Sequence, residues 1–169
     1  MLALLEKLPS SRLIFLLVFL GCGGLMGVAL YMQYAMELEP CPLCIFQRVM
    51  VIAAGIAALI GAIHGPGVTG IRVYGGGVIL SAVIGGSISM RQLWLQSLPE
   101  SEVPACGPSL DYLMDVFPLT DVVAKVLSGD GSCAEVVWTL FGISIPGWTL
   151  LGFVGLVAIG VLQIIRPRI

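Results

Sequence analysis

Four long stretches without charge constrain this chain more than any other feature. Between Arg12 and Glu37 lie 24 uncharged residues, LIFLLVFLGCGGLMGVALYMQYAM, and a helix needs about 20 apolar residues to cross a bilayer. A second apolar run, from Ile45 to Ile63, carries only Arg48, close to its start. The third, VYGGGVILSAVIGGSISM, lies between Arg72 and Arg91, and the fourth, GWTLLGFVGLVAIGVLQII, extends from Gly147 to Ile165. No hydrophobic run is left over. Of the 169 residues 58% are hydrophobic and only 11% charged, where soluble domains carry about 25% charged residues. The expected fold is an all-α membrane protein, a four-helix transmembrane bundle forming one domain over residues 1–169. Its spans are expected at about 13–33, 45–63, 72–91 and 147–165, with a short loop at about 34–44 and a long one at about 92–146 on the same side.

Four spans place both termini on one side, and basic residues decide which side faces the cytoplasm. Lys7, Arg12, Arg72, Arg166 and Arg168 fall with the termini, whereas Arg48, Arg91 and Lys125 fall on the other side. The vote of five to three puts the termini in the cytoplasm and both larger loops outside. Nine of the ten acidic residues also lie outside, Glu6 being the exception. Leu20-Gly21-Cys22 resembles a lipoprotein processing site, but the apolar run continues past it and Phe19 is bulky for such a site, so the first run is expected to stay as a span.

There are five cysteines. Cys22 lies within the first span beside glycines and reads as a small packing residue. The other four, Cys41, Cys44, Cys106 and Cys133, fall in the outside segments. Unpaired thiols tend to oxidise beyond the cytoplasm, so an even number there suggests disulfides. A Cys106–Cys133 bridge would close a loop of 27 residue steps, a staple worth roughly 3–4 kcal/mol in the chain-entropy model. The same reasoning fails for Cys41 and Cys44, because only Pro42 and Leu43 separate them and little chain is constrained. A Cys-x-x-Cys pair at the head of a helix suits redox exchange instead. Free N–H groups and the positive dipole end favour a thiolate there, and thiolates carry out disulfide exchange.

Arg48 follows Cys44 by four residues and so lies one turn along the same helix face. A cation there favours a thiolate and can hold a polar oxygen of a bound cofactor. It can equally be a snorkelling anchor for the span, and both readings stay open. Zinc is the chemical rival, since four cysteines can bind it, but the second pair lacks the usual ligand spacing and the only histidine, His64, falls on the other side. No metal is expected. An inert membrane protein with two structural staples is the rival of a different class.

The long loop carries its own pattern. Leu110, Leu113, Met114 and Phe117 fall at helical spacing after Ser109, a candidate cap, and Val122, Val123, Val126 and Leu127 form a second amphipathic stretch ending at Ser128-Gly129-Asp130-Gly131. Such faces are expected to lie on the bilayer surface and to position the flanking cysteines. Gly23 and Gly27 in the first span, and Gly75 to Gly77 and Gly85-Gly86 in the third, are expected to allow close helix packing. Tyr31, Tyr34, Trp94, Trp138 and Trp148 fall near the outer boundary, where aromatic rings prefer to sit.

If the cysteines cycle, something must refill their disulfides; the chain shows no flavin or haem motif, so by elimination a lipid-soluble quinone is the expected acceptor for a pair at the membrane surface. PCPLCIFQR from Pro40 to Arg48, RQLWLQ from Arg91 to Gln96, Cys106-Gly-Pro and GSCAEVVW from Gly131 to Trp138 together resemble the disulfide bond formation protein B (DsbB) family of the bacterial inner membrane. The resemblance covers essentially the whole chain. It implies a protein dithiol:quinone oxidoreductase whose partner is a DsbA-like periplasmic thioredoxin-fold oxidase and whose cofactor is ubiquinone or menaquinone. It further implies catalytic roles for Cys41, Cys44, Cys106 and Cys133, with a quinone beside Cys44 and Arg48. Some relatives carry Glu where this chain has Gln47, and His where it has Arg91 and Gln92, which leaves the roles of these three positions open.

Overall fold

In the computed structural model, residues 9–65, 67–99, 101–105, 107, 110–129 and 131–167 are described. Four helices among them are long and apolar enough to cross a membrane: α1 (Ser11–Ala35), α2 (Pro42–His64), α3 (Val68–Gln96) and α7 (Ile145–Ile165). Between α3 and α7 lie three short helices, α4 (Leu110–Val116), α5 (Leu119–Ser128) and α6 (Gly131–Ala134), and a two-stranded hairpin, β1 (Thr139–Leu140) and β2 (Ile143–Ser144). The architecture is an all-α membrane bundle with this one small ribbon added. Ser109 and Cys106 lie outside the described residues.

The bundle is a chain of neighbours: α1 packs on α2, α2 on α3, and α3 on α7. Phe15, Val18, Val51, Ala54, Ala58, Ile71, Val78, Ala82 and Phe153 form its core. Small residues let the backbones approach, as the glycine content suggests, but at selected positions. Added Cβ atoms at Gly75 and Gly160 would each meet the other's carbonyl oxygen, at 3.3 and 3.0 Å, and one at Gly85 would collide with the Phe153 ring. Here α3 and α7 exchange dispersion contacts that lipid cannot match in density. The Gly23/Gly27 face plays no such part. A Cβ at either position would meet nothing within 4 Å, because the face that α1 turns to α2 carries Phe15, Val18 and Cys22 instead.

The helix ends are tied by arginines from neighbouring helices. Arg12 Nε donates to the Ala62 carbonyl at 3.1 Å in the last turn of α2, and Arg72 Nε donates to the Ile164 carbonyl at 3.3 Å in the last turn of α7. Terminal carbonyls have no partner in their own helix, so each arginine both anchors a span edge and caps another helix. Gly65, at φ 54 and ψ 49, supplies the left-handed stop of α2.

α3 has 29 residues, about 44 Å at the helical rise, against a hydrocarbon core of about 30 Å. Its last turns therefore stand clear of the apolar layer and form a post on which the long loop is built. Leu43 and Leu95 meet Leu113, Val122, Val126 and Cys133 in a second core above the bundle. The amphipathic face of α5 differs in this from the bilayer-facing expectation. Val122 and Val126 bury into protein, because the protruding end of α3 offers an apolar surface closer than the lipid. Gly129, at φ 74, ends α5 where any Cβ would strike Leu95.

Candidate functional site

Cys41 is the N-cap of α2 and Cys44 lies in its first turn, with Pro42 between them as the first helical residue. Proline is favoured there because its missing N–H would have no intrahelical acceptor. The sequence thus folds the Cys-x-x-Cys segment into a helix start, and the Cys41 thiol donates to Cys44 Sγ across 2.9 Å. The helix α6 packs against α2 and α3 and carries Cys133 into the second core, where it is 1% exposed. Cys133 and Cys41 are hydrogen-bonded. Bonds to Cys133 and then to Cys44, followed by burial, push the Cys41 thiol well above its ordinary range. Three of the four cysteines of the two pairs therefore form one cluster, although 89 positions separate Cys133 from Cys44.

An amide that the spacing alone does not single out completes the cluster. Gln92, on the protruding end of α3, donates from Nε2 to Cys44 Sγ at 3.2 Å and to Cys41 Sγ at 3.3 Å. Its Oε1 accepts from Gln47 Nε2 at 2.7 Å. Both side chains are 3% exposed. The bond from Gln47 orients the Gln92 carboxamide, so its N–H groups face the sulfurs. The available sequence signal was an uncharged amide near the cysteine end of a span, repeated at Gln33, Gln47, Gln92 and Gln96. Its neighbour Arg91 turns elsewhere. It donates to the Leu127 and Ser128 carbonyls at 3.4 and 2.9 Å, capping α5, and its guanidinium lies 4.3 Å above the Trp94 ring.

Arg48 reaches across to α1, where it donates to Gln33 Oε1 and, at 3.3 Å, to the Ala29 carbonyl. It lines a cleft of ≈ 280 Å³ together with Cys41, Cys44, Gln47 and Gln92. The rest of the wall is mostly apolar: Leu25, Met26, Val28 and Met32 from α1, Val51 from α2, and Trp138, Leu140, Pro146 and Trp148 from the hairpin region and α7. α1 and α7 are not packed along their length, which leaves the cleft between them, and Leu25 closes toward Gly152 below it. Among the described residues no group of three or more His, Cys, Asp or Glu side chains is arranged to hold a metal ion. An apolar molecule that carries polar oxygens matches this lining, in which sulfur, guanidinium and carboxamide stand among apolar side chains.

The family model described as disulfide bond formation protein DsbB matches residues 11–163. The chain is similar to disulfide bond formation protein B of Saccharophagus degradans, with 53% identity over 162 residues covering 96% of this chain and 98% of that one. It is 48% identical over 160 residues to the protein of the same name from Hahella chejuensis, covering 94% of this chain and 97% of the relative. Disulfide bond formation protein B 1 of Pseudomonas aeruginosa is 48% identical over 159 residues, covering 94% and 98%.

Proposed function

Because the chain belongs to the DsbB family of disulfide bond formation proteins, we propose that it reoxidises a periplasmic, thioredoxin-fold DsbA-like oxidase and passes the electrons to a membrane quinone, ubiquinone or menaquinone. It sits in the bacterial inner membrane with both termini in the cytoplasm and the cysteine cluster at the periplasmic face. The observation that carries the reading is the sulfur cluster itself. Cys133 is hydrogen-bonded to Cys41, Cys41 to Cys44, and Cys44 lines an apolar cleft with Arg48.

The exchange steps follow that order. A thiolate of the reduced partner attacks Cys106 of a Cys106–Cys133 disulfide, and Cys133 leaves as the thiolate. The partner's second thiol displaces Cys106 and leaves the partner oxidised. Cys133 attacks Cys41 of a Cys41–Cys44 disulfide, which frees Cys44 as a thiolate beside the cleft, and Cys106 closes back on Cys133 to return Cys41. Bound in the cleft, a quinone supplies a two-electron, two-proton acceptor. The chain's own part is to hold the Cys44 sulfur under the Gln92 N–H groups, to place a fixed positive charge at Arg48, and to keep water from an apolar wall. Arg48 suits hydrogen bonding to a ring oxygen because its guanidinium is planar and always charged.

The test uses purified protein, reduced thioredoxin-fold oxidase and quinone. One quinone should be consumed for each partner dithiol oxidised, and Cys44→Ala should abolish the loss. Partner oxidation that proceeds catalytically without quinone loss would refute the reading.

A further inference from the structure

The hairpin between α6 and α7 is built against ordinary turn chemistry. Its strands pair Thr139 with Ser144 and Leu140 with Ile143, which leaves Phe141 and Gly142 as the two central residues. Both have positive φ, 53° and 78°, the signature of a type I′ turn that favours Asn-Gly or Gly-Gly. A bulky aromatic at the first position adopts a backbone conformation that L side chains rarely take. Phe141 is also 88% exposed. A hairpin tip in water has no use for either feature.

The surroundings show what the tip meets. The nine residues 136–144 that precede α7 carry no charge, so the uncharged stretch of the last span begins well before its helix does. α7 alone has 21 residues, about 32 Å at the helical rise, and already crosses the apolar layer of about 30 Å. The hairpin therefore sits directly on the span's end, at the depth of the headgroups. Val136, Val137 and Leu140 beside it are exposed and apolar, and Trp148 Nε1 donates to the Leu140 carbonyl at 3.2 Å, fastening the ribbon to the first turn of α7. The exposed apolar surface of the hairpin thus continues the lipid-facing surface of the helix.

We propose that Phe141 inserts into the membrane leaflet on the cysteine side, and that this anchor holds the mouth of the cleft at lipid depth. Leu140, on the same ribbon, and Trp138, just before it, line the cleft with Cys44 and Arg48. An anchored ribbon keeps that wall in contact with lipid, so an apolar molecule enters from the bilayer without crossing water. The occupant of the exposed face is lipid. A protein partner would have to compete with the leaflet for a surface that the span places inside it.

Two measurements test this. The first replaces Phe141 by p-benzoylphenylalanine in the full chain, reconstituted in phosphatidylethanolamine–phosphatidylglycerol vesicles with the reduced thioredoxin-fold oxidase present, and identifies the photoadduct by mass. Adducts to lipid acyl chains are expected. Adducts to the oxidase or to a second copy of the chain, or none above background, overturn the anchor. The second compares Phe141→Gly with Phe141→Leu. Glycine suits the backbone at φ 53° and lacks the anchor, whereas leucine keeps the apolar bulk. In vesicles, Phe141→Gly should raise the apparent KM for a long-tailed quinone roughly ten- to a hundredfold, as withdrawal of one aromatic side chain from an apolar phase implies. Phe141→Leu should stay close to wild type, and single-turnover exchange with the oxidase should be unchanged in both. An unchanged KM in Phe141→Gly overturns the link to the cleft. This arm rests on the proposed acceptor, whereas the cross-linking arm stands without it, so the two failures are distinguishable.

Discussion

Replacing Gln92 by leucine separates the stability of the buried amide pair from its chemistry. Leucine is close in volume to glutamine, so the change removes hydrogen bonds and leaves little cavity. Gln47 Nε2, buried, then loses the acceptor that it holds at 2.7 Å. A buried donor left unsatisfied costs about 1–3 kcal/mol, whereas replacing both partners with apolar groups of similar shape is nearly neutral. Gln47→Leu/Gln92→Leu should therefore recover most of the stability that Gln92→Leu loses. The chemistry should not recover. Gln92 donates to Cys41 and Cys44 at 3.3 and 3.2 Å, and hydrogen bonds to a charged group contribute about 1.5–3 kcal/mol. Reoxidation of the Cys41/Cys44 dithiol should slow roughly ten- to a hundredfold in both variants. Unfolding free energy is measured by dodecyl sulfate titration in mixed micelles, and reoxidation by stopped-flow with quinone in excess. Recovery of the rate together with stability in the double variant would refute the argument, since Gln92 would then act only through packing.

Arg48→Gln should raise the apparent KM for quinone about ten- to a hundredfold by loss of a charge-assisted contact, while single-turnover partner oxidation without added quinone stays near normal; Arg48→Lys should restore part of the loss, and slowed partner exchange with an unchanged quinone KM would identify a mere anchor. Cys133→Ala leaves Cys106 as a thiol, so on mixing with the oxidised partner the Cys106 thiolate should attack the partner's disulfide and accumulate a Cys106–partner mixed disulfide, visible by mass after thiol trapping, and finding the partner on Cys44 instead would reverse the relay order. Gly85→Ala should destabilise the bundle by about 1–3 kcal/mol through overpacking against the Phe153 ring, and Phe153→Leu in the same chain should relieve most of it, both read by dodecyl sulfate titration.

The number of membrane helices was legible because a bilayer core admits few charged residues and requires runs of a set minimum length, so uncharged stretches mark the spans directly. The Cys-x-x-Cys helix start was legible for a local reason too: Cys41, Pro42 and Cys44 fall within one turn, and their backbone roles follow from their own chemistry. The extent of the helices was not. Charge-free runs mark the hydrocarbon layer, while backbone hydrogen bonding carries α3 beyond it to Gln96, and that extension creates the surface that draws α5 inward. The positions of Gln92 and Cys133 beside Cys41 and Cys44 depend on how α3 and α6 rotate and pack against α2, which no local pattern encodes. The same holds for the glycines. Gly23 and Gly27 are as small as Gly75 and Gly160, yet only tertiary contact decides which of these meets a neighbouring backbone and which faces open space.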